Sequence, residues 1–366
     1  MAGSVFGNHF KIMTFGESHG KGLGVTIDGC PAGLELCEED IQKYLDRRKP
    51  GQSSYTTARN EADAVEILSG VFEGRTTGTP IALIIRNKDQ HSKDYSNICD
   101  VFRPGHADYG FFAKYGFRDY RGGGRSSGRE TVARVAAGAV AMKILTSMGV
   151  NVHAYAKSIG PVSVSKVDLA EAKNNSLCMP DPEAARQAEE FLQSCMKRKD
   201  SVGGVIECVA SGMPAGVGDP VFGKLDAMLA QAIMSIGAVK GFEIGDGFLV
   251  AESTGSVNND AFYAAEDGVA TVTNHAGGIL GGISNGEDII LRAAFKPTPS
   301  IGSEQKTVNE KGEECSITIH GRHDPIVVPR AVVVVEAMTA ITLVDALLSN
   351  MGARLDSIIK FYGREL

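Results

Sequence analysis

The chain has 366 residues, 43% of them hydrophobic and 22% charged, enough apolar surface for a sizeable core and too little charge for disorder. A net charge of -7 excludes a surface that attracts nucleic acid or anionic lipid as a whole. The seven cysteines, Cys30, Cys37, Cys99, Cys178, Cys195, Cys208 and Cys315, are odd in number and contain no Cys-x-x-Cys, so free thiols in a reducing compartment are expected.

Neither a basic-then-apolar leader nor an uncharged apolar run of membrane length is read, so a cytoplasmic protein with no membrane partner is expected. No linker divides the chain, and residues 1–366 are read as one large domain. The elements begin with a strand at Val25–Ile27, after a Gly-rich loop. The spacing of Ile41, Tyr44 and Leu45 predicts a helix over 38–48, ended by Pro50 and Gly51. Residues 64–87 read as paired strands, and 103–128 as a loop holding seven glycines. A small-faced helix is predicted from Glu130 to Met148, closed by Gly149; its alanines and Gly138 suit a central, buried position. Asp181-Pro182 and Asp219-Pro220 each read as an Asp cap with proline at the first helical position. Strands are expected at 203–210, 247–252, 288–295 and 316–320, and a long apolar helix over 330–348 despite its β-prone valines. Because strand pairs and helices do not alternate one for one, the fold class is α+β.

Several loops carry chemistry-bearing residues. Gly16-Glu17-Ser18-His19-Gly20 places a hydroxyl, a carboxylate and an imidazole on a pliable backbone. It satisfies Gly-x-Ser-x-Gly formally, which keeps a serine hydrolase using Ser18 as an alternative; a strand after the loop, rather than a helix, counts against that elbow. Residues 103–134 carry seven Arg or Lys against three Asp or Glu in an otherwise acidic chain. There Arg103-Pro104-Gly105-His106-Ala107-Asp108 is followed by a glycine run, Gly122-Gly123-Gly124, then Arg125-Ser126-Ser127-Gly128-Arg129 at a helix start. Exposed N–H groups, hydroxyls and a positive helix end suit a phosphate. A phosphate-binding loop at Gly218–Leu225 is rejected, since Leu225 stands where a hydroxyl must hold magnesium, and the stretch is read as a helix start. Arg47-Arg48-Lys49 adds cations at a helix end. Asn274–Gly282 is Gly-rich and nearly uncharged, so its backbone can approach a flat ring; Lys296–Ser300 offers a cation and hydroxyls after a strand; and His320-Gly321-Arg322-His323-Asp324-Pro325 precedes the last helix. The His-x-x-His there lacks metalloprotease spacing and has Arg322 between, so no metal is expected. His9, His91 and His153 lie outside these loops and read as structural or surface residues.

Taken in order, Gly-Glu-Ser-His-Gly, Arg-Arg-x-Pro-Gly, Arg-Pro-Gly-His-Ala-Asp, Gly-Gly-Arg-Ser-Ser-x-Arg-Glu-Thr, Asn-His-Ala-Gly-Gly-Ile, Lys-Pro-Thr and Arg-His-Asp-Pro resemble the chorismate synthase family across residues 16–325. That resemblance implies an α+β fold with helices sandwiched between antiparallel β-sheets, and a homotetramer. It implies elimination of phosphate from 5-enolpyruvylshikimate 3-phosphate, with reduced FMN and no net redox change. Carried over by position, His19, His106 and Asp324 are the catalytic candidates. Arg125, Ser126, Ser127, Gly281, Lys296, Pro297, Thr298, Pro299, Ser300 and Arg322 are the flavin candidates, with Arg48 and Ser18 on the substrate side. Ser54 stands where some members have a second Arg, and Pro299 where a small hydroxyl residue is common. No nicotinamide fingerprint is present, so an external flavin reductant is expected rather than reduction by NADPH on this chain. A non-catalytic flavin- or phosphate-binding protein is the other alternative; it predicts flavin affinity indifferent to substrate.

Overall fold

The computed structural model describes residues 3–51, 62–87, 99–266, 268–319 and 324–363. The first sheet contains β1 (Val5–Phe6), β2 (Lys11–Gly16), β3 (Gly22–Asp28), β4 (Val65–Ile67) and β5 (Ile81–Arg86), in the spatial order β1-β2-β3-β5-β4, antiparallel throughout. Alternation explains which face is covered: Ile81, Leu83 and Ile85 of β5 are buried, with Arg86 exposed at the end. The second sheet contains β6 (Asn151–Ile159), β7 (Val162–Ser163), β8 (Gly204–Ser211), β9 (Val239–Ile244) and β10 (Ile289–Phe295), in the order β9-β10-β8-β6-β7 and also antiparallel.

Six helices build the core and carry the loops of the site: α1 (Glu38–Arg48), α2 (Asp108–Tyr115), α3 (Thr131–Ser147), α4 (Pro182–Lys197), α5 (Leu225–Met234) and α6 (Val328–Asn350). Helix α3 lies on the first sheet, α6 on the second, and the two pack on each other with α1 at their side. The layers are therefore sheet, helix, helix, sheet, and one contiguous apolar core runs through them. Small residues permit this: a Cβ on Gly138 of α3 would overlap Ala337 of α6. Helix α6 is long and apolar enough to cross a membrane, at a mean hydropathy of 2.1, but most of it is buried in this core. Its two carboxylates are satisfied there. Glu336 accepts both arms of Arg47 at 2.7 and 2.9 Å and the Ala154 N–H at 3.0 Å; Asp345 accepts the N–H groups of Asn8, His9 and Phe10.

Both α1 boundaries and the start of α4 match the sequence reading, and Asp181 caps α4 by accepting from the Glu183 and Ala184 N–H groups. All seven cysteines are free thiols. Four expectations are corrected. Residues 103–128 are not all loop, because α2 forms there: Asp108 at its first turn is held by Arg103, and Gly116 (φ +79°) ends it in the left-handed conformation. Asp219-Pro220 does not start a helix; Asp219 and Gly223 close a turn, and α5 begins at Leu225, where the apolar spacing begins. Residues 247–252 form a 3-10 helix rather than a strand, since Gly245 (φ +55°) and Gly247 (φ +60°) bend the chain out of the sheet after β9. The strand expected at 316–320 is Glu314–Ile317, and His320 lies outside the described residues.

Candidate active site

Ser18 and His19 sit in the turn of the hairpin between β2 and β3, both buried, with Ser18 Oγ 3.1 Å from His19 Nδ1. A strand-turn-strand setting is not the strand-to-helix elbow of a serine hydrolase, so the Ser18 nucleophile reading has no support in the backbone. His106 sits in the turn that enters α2. Its Nδ1 is 2.9 Å from Asp108 Oδ1, and Asp108 is clasped by Arg103 Nε (2.7 Å) and Nη2 (2.8 Å).

These two turns, 87 positions apart in sequence, flank the same glycine run. Gly122, Gly123 and Gly124 have φ of +70°, +86° and +52°, a left-handed run that only glycine adopts readily. A Cβ on Gly122 would overlap the His19 ring, and one on Gly123 would stand 3.0 Å from His106 Cε1 and 3.2 Å from its Nε2. The two imidazoles thus pack on adjacent residues of one loop, Gly122 and Gly123, whose Cα atoms are about 3.8 Å apart. Ser126 Oγ donates to Gly123 O at 2.7 Å and steadies the same loop, while Ser127 Oγ accepts the Arg129 N–H at 3.3 Å to cap the turn before α3.

Burial pushes the His106 pKa down, and the nearby Arg103 and Lys296 charges add to that against the pull of Asp108. Neutral His106 therefore donates Nδ1–H to Asp108 and keeps the Nε2 lone pair beside Gly123. For Asp108 burial works upward, but hydrogen bonds from Arg103 and His106 outweigh it and hold the carboxyl well below the usual range. The Lys296–Ser300 loop abuts this turn: Lys296 Nζ donates to Gly105 O at 2.8 Å, and Pro299 Cβ would lie 3.4 Å from a Cβ on Gly105. Within it Thr298 Oγ1 is buried with no hydrogen-bond partner among the described residues, Thr298 O accepts from Ser201, and Ser300 is buried. Pro297 is the exposed member.

A second cluster adjoins the first. Arg48, only 1% exposed, donates through Nε to Asp63 Oδ2 at 3.2 Å and pairs with it through Nη2, while its Nη1 has no hydrogen-bond partner among the described residues. Burial lowers the Arg48 pKa to about 10. Arg129 grips the other oxygen of Asp63 and reaches Asn87 Oδ1 through Nε (3.1 Å) and Nη2 (3.0 Å). Arg330 Nε donates to Arg48 O at 3.1 Å, and its Nη1 pairs with Asp324 Oδ2 at 2.6 Å. Asp324 is thereby tied through Arg330 to the backbone of Arg48.

Two candidates stand differently. The Arg125 guanidinium is turned onto β2, donating to Gly16 O (3.2 Å), Thr14 O (3.2 Å) and Thr14 Oγ1 (2.6 Å), and it lines a cavity of about 440 Å³ with Glu17, Lys21 and Arg86. Gly281 (φ +61°) is exposed in the hairpin turn between Ile279–Leu280 and Ile283–Ser284, next to Gly282, which packs on Asp219 and Lys224 rather than on the histidine loops. Arg322 and Ser54 lie outside the described residues, as do His91 and His323. Sequence reasoning missed Asp63, Asn87 and Arg330. Asp63 and Asn87 are single polar residues just outside strands and Arg330 lies in the first turn of α6; none carries a motif of its own.

The family model for chorismate synthase matches residues 10–348 of this chain. Among curated proteins, the chorismate synthase of Agathobacter rectalis is 65% identical over 364 residues, covering 99% of either chain. That of Lachnospira eligens is 64% identical over 364 residues, covering 99% of this chain and all of its own. A solved structure, described as the crystal structure of chorismate synthase, superposes with a TM-score of 0.75 at 35% identity, covering 97% of this chain and 96% of that one.

Proposed function

Since the chain belongs to the chorismate synthase family, we propose that it is a carbon–oxygen lyase that eliminates phosphate from 5-enolpyruvylshikimate 3-phosphate to give chorismate. The observation that carries the reading is the meeting of the His19 and His106 turns on either side of Gly122–Gly123. A 1,4-elimination must break a C–H bond at ring carbon 6 and a C–O bond to phosphate at carbon 3, and it needs proton-handling groups at both ends. Reduced FMN, when bound, lends electron density as phosphate departs and recovers it as the proton leaves, with no net redox change.

The residues fit such a ligand pair. Substrate and flavin together carry about six negative charges, counting each phosphate near -2. Arg48 and Arg129 share the single carboxylate of Asp63, which leaves a net positive charge there, Lys296 adds a further cation, and the buried Thr298 hydroxyl and Arg48 Nη1 have hydrogen-bonding capacity left for a ligand. Arg125, Ser126, Ser127, Gly281, the Lys296–Ser300 loop and Arg322 would hold the flavin, with Arg48 and Ser18 on the substrate. His19 donates to the departing phosphate, whose charge grows as the C–O bond breaks. His106, neutral in the absence of ligands, offers Nε2; two anionic ligands raise its proton affinity, so it carries a proton where negative charge is greatest. Asp324, oriented by Arg330, would lie beside the flavin and polarise its N5, the acceptor that the family resemblance implies for the carbon 6 proton. The same reading makes the protein a cytoplasmic homotetramer supplied by an external flavin reductant.

Purified protein mixed without oxygen with 5-enolpyruvylshikimate 3-phosphate and photoreduced FMN is the direct test. Phosphate and chorismate absorbance should appear together and in equal amounts. Flavin binding with neither product would overturn the assignment and leave a flavin carrier.

A further inference from the structure

Asn87 closes β5, and its side chain is double-ended. Nδ2 donates to three carbonyls of the His19 turn, Glu17 O at 3.1 Å, Ser18 O at 3.4 Å and Gly20 O at 2.8 Å. Oδ1 accepts two N–H groups from Arg129, at 3.1 and 3.0 Å. With only acceptors on one side and only donors on the other, the amide has one workable orientation. The Asn87 N–H donates to Lys21 O at 3.2 Å, so the turn is held from its far side as well. Arg129 continues to Asp63, and Asp63 to Arg48. Asp63 is buried and has φ of +48°, a left-handed backbone that costs a non-glycine residue stability and persists because both arginines fix its carboxylate.

We propose that Asn87 is a positioning residue: it straps the His19 turn to the buried Arg48–Asp63–Arg129 cluster, setting where His19 stands relative to an anion held by those arginines. The inference rests on the proposed chorismate synthase activity. The turn is rich in glycine and has no helix to stiffen it, so loss of the strap lets its backbone shift even though the Asn87 N–H still reaches Lys21 O. A displacement near 1 Å at a reacting group costs on the order of 10²-fold in rate.

The test uses the full-length protein in the anaerobic assay, with Asn87→Ala, Asn87→Asp, His19→Ala and the double variant Asn87→Ala/His19→Ala. Asn87→Asp keeps an acceptor for Arg129 but removes the donor to the three carbonyls. Both Asn87 variants should lose about 10- to 100-fold in kcat per folded molecule. Because Asn87 acts through His19, the double variant should turn over no more slowly than His19→Ala alone, a non-additivity that a merely structural residue would not give. Melting temperatures report folding, and the isosteric Asn87→Asp keeps the comparison open if Asn87→Ala unfolds. Wild-type kcat in either Asn87 variant overturns the proposal, as does a double variant whose losses multiply. An inactive wild-type protein instead removes the proposed function on which it rests.

Discussion

Among single residues, the proposed chemistry rests on the two histidines and the groups that fix them. His19→Ala and His106→Ala should each lower anaerobic turnover by about 10- to 10⁴-fold, the span of acid–base assistance. His153, exposed on β6, is the internal control: His153→Ala should turn over at the wild-type rate. Full specific activity in both loop variants would remove the catalytic assignment. Asp108 makes a pH-dependent prediction. Its folded pKa is depressed, so its contribution to stability is complete above the unfolded value near 3.9 and is lost as pH falls below it. His106 is depressed as well, so its contribution is present above about pH 6.5 and declines as the unfolded imidazole gains a proton first. Asp108→Asn should remove the carboxylate part of this acid sensitivity. It should also cost about 3–5 kcal/mol at neutral pH, because the buried Arg103 loses its counter-ion. Urea denaturation from pH 3 to 8 measures both; an unchanged slope below pH 4 would show that Asp108 is not the group responsible.

At the scale of elements, helix α3 is the hinge of the architecture, and Gly138 is where it touches α6. Alanine is the better helix former by about 1 kcal/mol, yet a Cβ there would overlap Ala337, and overpacking typically costs about 1–3 kcal/mol. Gly138→Ala should therefore be net destabilising. Gly110, inside α2, has open space around its Cβ position and no left-handed backbone, so Gly110→Ala should be neutral or stabilising by up to about 1 kcal/mol. Denaturant midpoints compare the two; a stabilised Gly138→Ala would mean that α3 and α6 are not in close contact. Local signals identified the elements where they were strong: the Asp181-Pro182 cap, the Ile41–Leu45 spacing and the Gly149 stop. They failed at Asp219-Pro220, where the same dipeptide closes a turn, because the apolar face that anchors a helix starts only at Leu225. The valines of α6 kept their helix because burial on every side outweighs a preference of a few tenths of a kcal/mol.

For the whole molecule, the described surface leaves large apolar side chains uncovered, Phe222, Phe248, Leu249, Phe361 and Tyr362 among them. Such surface suits subunit contacts. Light scattering at micromolar concentration should give a tetramer near four times 38.7 kDa; a monomer would contradict the proposed assembly. The α+β class, the buried small-faced helix and the loops bearing His19, His106 and Lys296 were legible in the chain alone, because periodicity, capping and glycine content are local properties. That His19 and His106 pack on one glycine loop, and that the Arg125 side chain turns onto β2, emerges from the folded arrangement. The same arrangement places Asp63, Asn87 and Arg330 among the site's supports. Those contacts join residues far apart in the chain, and no local pattern encodes them. They arise from packing two sheets around α3 and α6, which places the ends of β2, β5 and α3 against one another.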